Sequence, residues 1–590
     1  MPLSRTLLAR PLLALALALP LTSLAASLPP VEAKHGMVVS SQRLASEAGI
    51  QILKEGGNAV DAAVAVGYAQ AVVNPCCGNI GGGGFMTLHL ADGTDTFIDF
   101  REKAPAAASA DMYQDKAGNL IKGASLFGYG AVGVPGTVRG MEMALTKYGS
   151  GKLTRAQIMA PAIKLARDGF ILTRGDTDVI DSSLKKIHSD KQAAKIFLRP
   201  DGTPLQPGDR LVQKTLAKTL EAIAKHGPDA FYKGKIPKAI EKASAENGGY
   251  ITAKDFANYQ AKERVPVRCS YRGYDFISAP PPSSGGITMC EILNIVEGYD
   301  LKSMGFGSAE AIHYTVEAMR HAYVDRNNLL GDPDFVHIPR KMLLSKAYAA
   351  KIRATIDPVK ATPSADLGPG VAPHEKPQTT HYSVIDKDGN AVSTTYTING
   401  RFGSGVMAPG AGFWLNDEMD DFTSKIGAKN MFGLVQGKTN AIAPGKRPLS
   451  SMAPTIVTKN GKTFLVTGSP GGSRIITITL ATVMNVIDYG MNIQEAVDAP
   501  RIHQQWLPDK VFYEQRGISP DTLKLLKAAG YDMVEQHGWG AAEAIMVGLP
   551  GAKNFKDSKV SDASVSGKVR PGYYYGANDS RRPQGAAVGY

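Results

Sequence analysis

The sequence predicts a layered α/β fold, on the strength of one helix that is apolar nearly all round, at 59–73, and two β-hairpins, at 380–397 and 455–467. A helix without a polar face belongs between layers, and hairpins supply antiparallel sheet for it to lie against. Of 590 residues, 43% are hydrophobic and 20% charged, which excludes wholesale disorder, and four cysteines are too few for a disulfide-built scaffold. Length alone gives a soft count of about four domains. The net charge is +12, from 66 Lys and Arg against 54 Asp and Glu. Those cations are scattered, with no basic run of five or more, so a solvated surface is expected and a nucleic-acid groove is not.

At the start of the chain, Arg5 and Arg10 precede an apolar stretch, Leu12 to Leu24, and Ser23-Leu24-Ala25 fits the small-x-small cleavage pattern. Residues 1–25 are expected to be a Sec-type signal peptide, because this stretch is shorter than the about 20 residues that span a bilayer. The mature chain is then exported, to the periplasm or beyond, with no membrane anchor. Cys76, Cys77, Cys269 and Cys290 allow three complete pairings. Export permits a bridge, and small buried hydrophobes account for each cysteine equally well. Vicinal Cys76-Cys77 has no C-x-x-C beside it and is not read as a metal site.

Residues 40–74 look helical in two parts. Ala45, Ala48, Ile52 and Leu53 make one apolar face, and Gly56-Gly57 ends it. Asn58 caps the second helix, with Asp61 in its first turn and Pro75 beyond its end. Residues 308–327 form another helix, with Ile312, Val316, Met319 and Tyr323 on one stripe. The first hairpin turns at Lys387-Asp388-Gly389-Asn390, and the second at Asn460-Gly461, a type I′ signature. Before the first hairpin, 361–378 holds four prolines and two glycines and is expected to be an exposed, extended linker.

Several motifs fail on inspection. Gly81 to Gly84 fits neither a dinucleotide fingerprint nor a P-loop. Gly437-Lys438-Thr439 resembles a P-loop ending, but Phe432 stands where the first glycine belongs. There is no G-x-S-x-G elbow and no H-E-x-x-H among the 11 histidines. His313 and His321 are expected to be surface or satisfied core residues.

One constellation survives. The linker ends at Gln378-Thr379-Thr380-His381, directly before a strong strand. If the chain is cut before Thr379, that residue carries a nucleophilic hydroxyl and an α-amine, whose ordinary pKa of about 7.7–8.0 lets it accept the hydroxyl proton. A turn centred between Asp388 and Gly389 pairs Thr380 with Thr397 and brings Thr397 within reach of Thr379. After the second hairpin, Gly468-Ser469-Pro470-Gly471-Gly472-Ser473 offers paired glycines at a strand end. These suit either an oxyanion hole or a plain tight turn.

With these residues in view, the chain resembles the γ-glutamyltranspeptidase family of N-terminal nucleophile hydrolases, in its bacterial form. The resemblance runs over nearly the whole chain after residue 25. It is carried by DFREKAP (99–105), PPPSSGGI (280–287), LGDPDF (330–335), QTTHYSV (378–384), NDEMDDF (416–422), KRPLSSM (446–452) and TGSPGGSR (467–474). The resemblance implies a four-layer αββα sandwich made as a precursor and cut by itself between Gln378 and Thr379. The products are a large subunit, 26–378, and a small catalytic subunit, 379–590, paired with each other. It implies that Thr379 attacks the γ-carbonyl of a donor such as glutathione, that Thr397 orients it, and that Gly471 and Gly472 donate N–H bonds to the oxyanion. Arg101, Ser450 and Ser451 then hold the donor's α-carboxylate, and Asn399, Glu418 and Asp421 its α-ammonium. The γ-glutamyl group passes to water or to an amino acid or dipeptide, with no metal or organic cofactor. Residues 422–440 correspond to a lid; where several relatives carry a lid tyrosine, Phe432 has a ring without a hydroxyl latch. Two competing readings are a related cephalosporin or glutaryl acylase, and a periplasmic solute-binding protein that does no chemistry.

Overall fold

The computed structural model describes residues 27–367, 379–549 and 569–590. Residues 1–25, Gln378 and most of the 361–378 linker fall outside these. Two seven-stranded antiparallel sheets face each other, with helices on both outer faces, which is the expected αββα sandwich. The first sheet runs Ala586–Gly589, Gly36–Ser40, Thr380–Asp386, Ala391–Thr397, Gly83–His89, Asp95–Asp99, Lys262–Arg264. The second runs Val31–Ala33, Tyr574–Asn578, Glu543–Val547, Lys462–Thr467, Thr455–Lys459, Tyr274–Ser278, Val267–Tyr271. The soft count of four domains gives way to this one sandwich.

Every residue of helix Ala59–Val73 is buried. It lies between the first sheet and the outer helices Arg43–Lys54 and Arg155–Asp168, as its lack of a polar face requires. The Asn58 side chain accepts from the N–H groups of Val60 and Asp61, and Asp61 returns the bond to Asn58 N, a complete capping box. The preceding helix starts at Arg43 and not at 40, because Gly36–Ser40 is a strand. Helices Gly285–Val296 and Ile493–Asp498 cover the second sheet, and Ile475–Ile487 packs on both. Helix Ala309–Leu329 begins at the Ser308 cap and lies on Gly285–Val296.

The second hairpin turns as expected: Asn460 (φ 52°) and Gly461 (φ 72°) are both left-handed, and Lys459 pairs with Lys462. The first differs by one residue, with Thr380 facing Tyr396 and not Thr397. The cause is Asp386, whose Oδ1 accepts from the N–H groups of Asp388 and Asn390 at 2.9 and 3.0 Å and centres the loop on Asp388. Its other oxygen accepts from Ala59 N at 2.9 Å, tying the loop to the buried helix.

The space between the sheets changes character along its length. At the loop end of the first hairpin it is apolar, with Ile385 and Ala391 against Ile456, Val466 and Ile545. Toward Thr379 it becomes polar: Ser383 Oγ donates to Glu543 O and Ser393 Oγ to Thr467 O, both at 2.9 Å. His381 bonds Thr395 Oγ1 and Ser383 Oγ, and burial drives its pKa down to about 3, so it is neutral.

The linker expectation needs correction over the part described. Residues 364–367 form a 3₁₀ turn, and Ser364 is buried, donating to Trp506 O at 2.6 Å and accepting from Arg320. Cys76–Cys77 and Cys269–Cys290 are both bridged, which decides between the readings left open for the cysteines. Among the described residues no helix is long and apolar enough to cross a membrane. His313 is a satisfied core residue, bonded to Asp357 O and Tyr531 Oη.

Candidate active site

Thr379 is placed by strand alternation. Thr380 points at the helices, bonding Ser41 Oγ at 2.7 Å and Asn74 Nδ2 at 3.2 Å, so Thr379 points at the second sheet. The observed register sets Thr379 opposite Thr397. The Thr397 hydroxyl donates to Thr379 Oγ1 at 3.5 Å, the long end of hydrogen-bond reach, and accepts from Asn399 N at 2.9 Å. Thr379 is nevertheless 93% buried, since its relative exposure is 7%. Asn399 sits at φ 68°, and its Nδ2 donates to Asp417 O, while Asp417 Oδ1 accepts from Gly400 N at 2.7 Å. Burial raises the Asp417 carboxyl to about 6.

The glycine turn arrives from the second sheet. Gly471 has φ 152° and Gly472 φ 57°, conformations that side chains resist. A Cβ on Gly472 would lie 2.5 Å from the Phe432 ring. Neither glycine N–H is bonded to a backbone carbonyl among the described residues, so both can be donors to a ligand. Gly472 lines the cavity beside Thr379, and Gly471 is not among its lining residues.

That cavity, of about 290 Å³, gathers ten of the residues singled out in the sequence: Arg101, Thr379, Thr397, Asn399, Glu418, Asp421, Phe432, Ser450, Ser451 and Gly472. Its charges are arranged more tightly than expected. Arg101 pairs directly with both Glu418 and Asp421 and donates from Nε to Pro448 O at 3.2 Å. The residues expected to receive the two ends of a donor are thus one ion-paired cluster. Burial works to lower the Arg101 pKa, but Glu418, Asp421 and Glu102 outweigh it and hold the cation. Glu102, 3.7 Å from Arg101, was not singled out in the sequence; burial pushes its carboxyl up to about 7 against the pull of Arg101. Burial likewise raises Glu418.

The serines are set as donors. Ser450 Oγ accepts from Met452 N at 3.0 Å, and Ser451 Oγ accepts from Arg326 Nη2 at 2.9 Å, so each O–H proton can turn into the cavity. Arg326 was also missed in the sequence. It is buried, donates to Ser284, Ser451, Asn327 and Gln436, and has no carboxylate within ion-pair distance among the described residues. Burial lowers its pKa to about 10, so it remains a cation at neutral pH.

Phe432 is buried over Gly472 and is held by its backbone. Met431 N donates to Asp420 Oδ2 at 2.8 Å, Phe432 N to Asn430 Oδ1 at 3.0 Å, and Gln505 Nε2 to Phe432 O at 3.3 Å. Gln505 Oε1 in turn accepts from Ser473 Oγ at 2.6 Å, joining the Phe432 segment to the glycine turn. These bonds do without a side-chain hydroxyl at position 432. Asp420 is buried, and burial raises its carboxyl to about 7.

Two apposed sheets, with a threonine entering an inner strand and facing donors from the other sheet, define an N-terminal nucleophile hydrolase. The family described as Gamma-glutamyltranspeptidase matches residues 45–588, and the chain belongs to that family of γ-glutamyl-transferring and -hydrolysing enzymes. It is 57% identical over 562 residues to a glutathione hydrolase proenzyme of Pseudomonas sp. (strain A14), covering 95% of each chain. It is 53% identical to the glutathione hydrolase proenzyme of Escherichia coli (strain K12), covering 88% of this chain and 90% of that one. Among solved structures, cephalosporin acylase from Bacillus halodurans superposes with a TM-score of 0.79 at 26% identity, covering 100% of this chain and 99% of that one.

Proposed function

We propose that the chain is an exported, self-cleaving γ-glutamyltransferase and glutathione hydrolase whose nucleophile is Thr379. The observation that carries this is the convergence, in one buried cavity, of Thr379, the Gly472 turn and an Arg101–Glu418–Asp421 cluster fitted to an α-amino acid. Residues 1–25 act as the signal peptide, and the enzyme works in the periplasm.

Maturation begins when the Thr379 hydroxyl attacks the Gln378 carbonyl, and water hydrolyses the resulting ester. The cut gives fragments 26–378 and 379–590. In turnover the Thr379 α-amine takes the hydroxyl proton while Oγ1 attacks the γ-carbonyl, and the Gly471 and Gly472 N–H groups receive the oxyanion. Collapse breaks the amide bond, the ammonium returns its proton to the leaving amine, and a γ-glutamyl ester remains on Thr379. Water or the amine of an amino acid or dipeptide then attacks that ester by the reverse path. Arg101 with the Ser450 and Ser451 hydroxyls receives the donor α-carboxylate, which displaces part of the ion-pair cluster. The α-ammonium then goes to Glu418, Asp421 and the Asn399 side chain. The name proenzyme, borne by both relatives, supports the processing step.

Mass spectrometry of the purified protein tests this. The expected result is a fragment beginning Thr379-Thr380-His381, glutamate release from glutathione, and a Thr379→Ala variant that stays uncut and inactive. A single uncut chain with full activity would sink the proposal. The acylase reading predicts faster turnover of glutaryl amides, which lack the α-ammonium, than of γ-glutamyl ones.

A further inference from the structure

Behind the wall of the glutamyl cavity lies a second space. Asn399, Phe432 and Gly472 line the cavity, while Gly400, Arg401, Met431 and Arg474, from the same three segments, line a solvent-open cleft of about 2040 Å³. Three short stretches of chain therefore have one side in each space. The cleft is strongly cationic. Lys185, Lys186, Arg401, Arg474, Arg581 and Arg582 line it, and exposed Glu535 is the only carboxylate among the described lining residues.

Three of these six cations are occupied. Arg581 pairs with Glu514 and Asp579, Lys186 donates to the Arg401 and Gly403 carbonyls, and Arg474 lies over the Trp539 ring at 4.4 Å. Arg401 and Arg582 differ. Arg401 donates from Nη1 to Ser182 Oγ at 2.6 Å, and its buried Nε has no hydrogen-bond partner among the described residues. Arg582 uses its backbone, not its guanidinium, in the turn at Asp579. Neither guanidinium has a carboxylate within ion-pair distance among the described residues. The two are close enough to repel: burial, and after it Arg582, bring the Arg401 pKa down to about 10, while burial also lowers Arg582 against Asp579 and Glu543. Two half-buried guanidinium groups that line one cleft, neither with a carboxylate within ion-pair distance among the described residues, are suited to holding an anion between them.

We infer that Arg401 and Arg582 form a carboxylate subsite for the peptide half of the reaction, taking the C-terminal carboxylate of the leaving peptide or of an incoming dipeptide acceptor. This rests on the function proposed above. Arg401 follows Asn399 by two residues, so the cleft begins within two residues of the cavity lining, and an extended dipeptide spans about 7 Å. A focused positive field there also favours anionic acceptors over water.

The test uses Arg401→Gln, Arg582→Gln and the double variant in the full-length, matured enzyme. With γ-glutamyl-p-nitroanilide as donor, glycylglycine and glycylglycinamide are compared as acceptors. In a second arm, glutathione is compared with its C-terminal amide as donor. The expected result is about a tenfold or greater rise in KM for the free carboxylate in one or both arms, with little change for the amide, and unchanged hydrolysis of the anilide as the control for folding. The first arm identifies an acceptor site and the second a leaving-peptide site. Equal losses on acid and amide, or no loss on either, would overturn the subsite. A parent enzyme inert toward the anilide would instead overturn the functional proposal itself.

Discussion

The two hairpins are built alike and do different work. Both join antiparallel strands through short turns, and both end at the same place between the sheets. The first, at Thr380–Asp386 and Ala391–Thr397, is buried along both strands and delivers two hydroxyls, Thr379 and Thr397. The second, at Thr455–Lys459 and Lys462–Thr467, runs into Gly471 and Gly472, whose proposed contribution is backbone N–H. The proposed nucleophile and the proposed oxyanion donors therefore belong to different sheets, and the packing between sheets sets their separation. That explains why the interface is polar at this end: hydroxyl-to-carbonyl bonds fix a distance that greasy packing leaves soft.

Breaking the donor half alone is the strongest test of that division. Gly472→Ala forces a side chain onto φ 57° and against the Phe432 ring, so kcat should fall about 10²–10³-fold with little change in donor KM. An unaltered kcat would remove the glycine turn from the oxyanion role. A smaller effect concerns the segment around Phe432 that covers that turn. Asp420 keeps its proton in the folded protein up to about 7, whereas the unfolded chain loses it near 3.8. The folded state therefore binds more protons over this window, and its stability falls as pH rises from about 4 to about 7. Asp420→Asn should flatten that fall in a series of thermal melts; a parent-like slope would mean the group titrates elsewhere. Ser393→Ala removes one bond between the sheets, the one to Thr467 O, and should cost about 1 kcal/mol in denaturant unfolding. It should leave maturation intact. A loss of maturation comparable to that of Thr379→Ala would mean that this one contact sets the alignment.

What could be read from the sequence was whatever is local along the chain. The Asn58 cap, the apolar helix after it and the Asn460-Gly461 turn each declare themselves within a few residues. The site residues became legible through long motif words. Arg326 and Gln505 did not, because nothing in their own neighbourhoods is unusual; their roles arise only where helix Ala309–Leu329 and the loop after His503 meet Ser451 and Phe432. Glu102 stood inside a quoted motif, yet its burial beside Arg101 is a property of the folded layers. The hairpin register slipped by one because the Asp386 side chain, and not the backbone count, decides where the loop is centred.

The strand order carries a mechanical consequence. Gly36–Ser40 lies between Ala586–Gly589 and Thr380–Asp386, and Val31–Ala33 is paired with Tyr574–Asn578. A chain cut before Thr379 would thus have its upstream piece woven into both sheets, between strands of the downstream piece in the first and on either side of them in the second. The nick changes which atoms are covalently joined but breaks none of these ladders. The two pieces should travel together through size exclusion, melt in one cooperative step, and come apart only when both sheets dissolve.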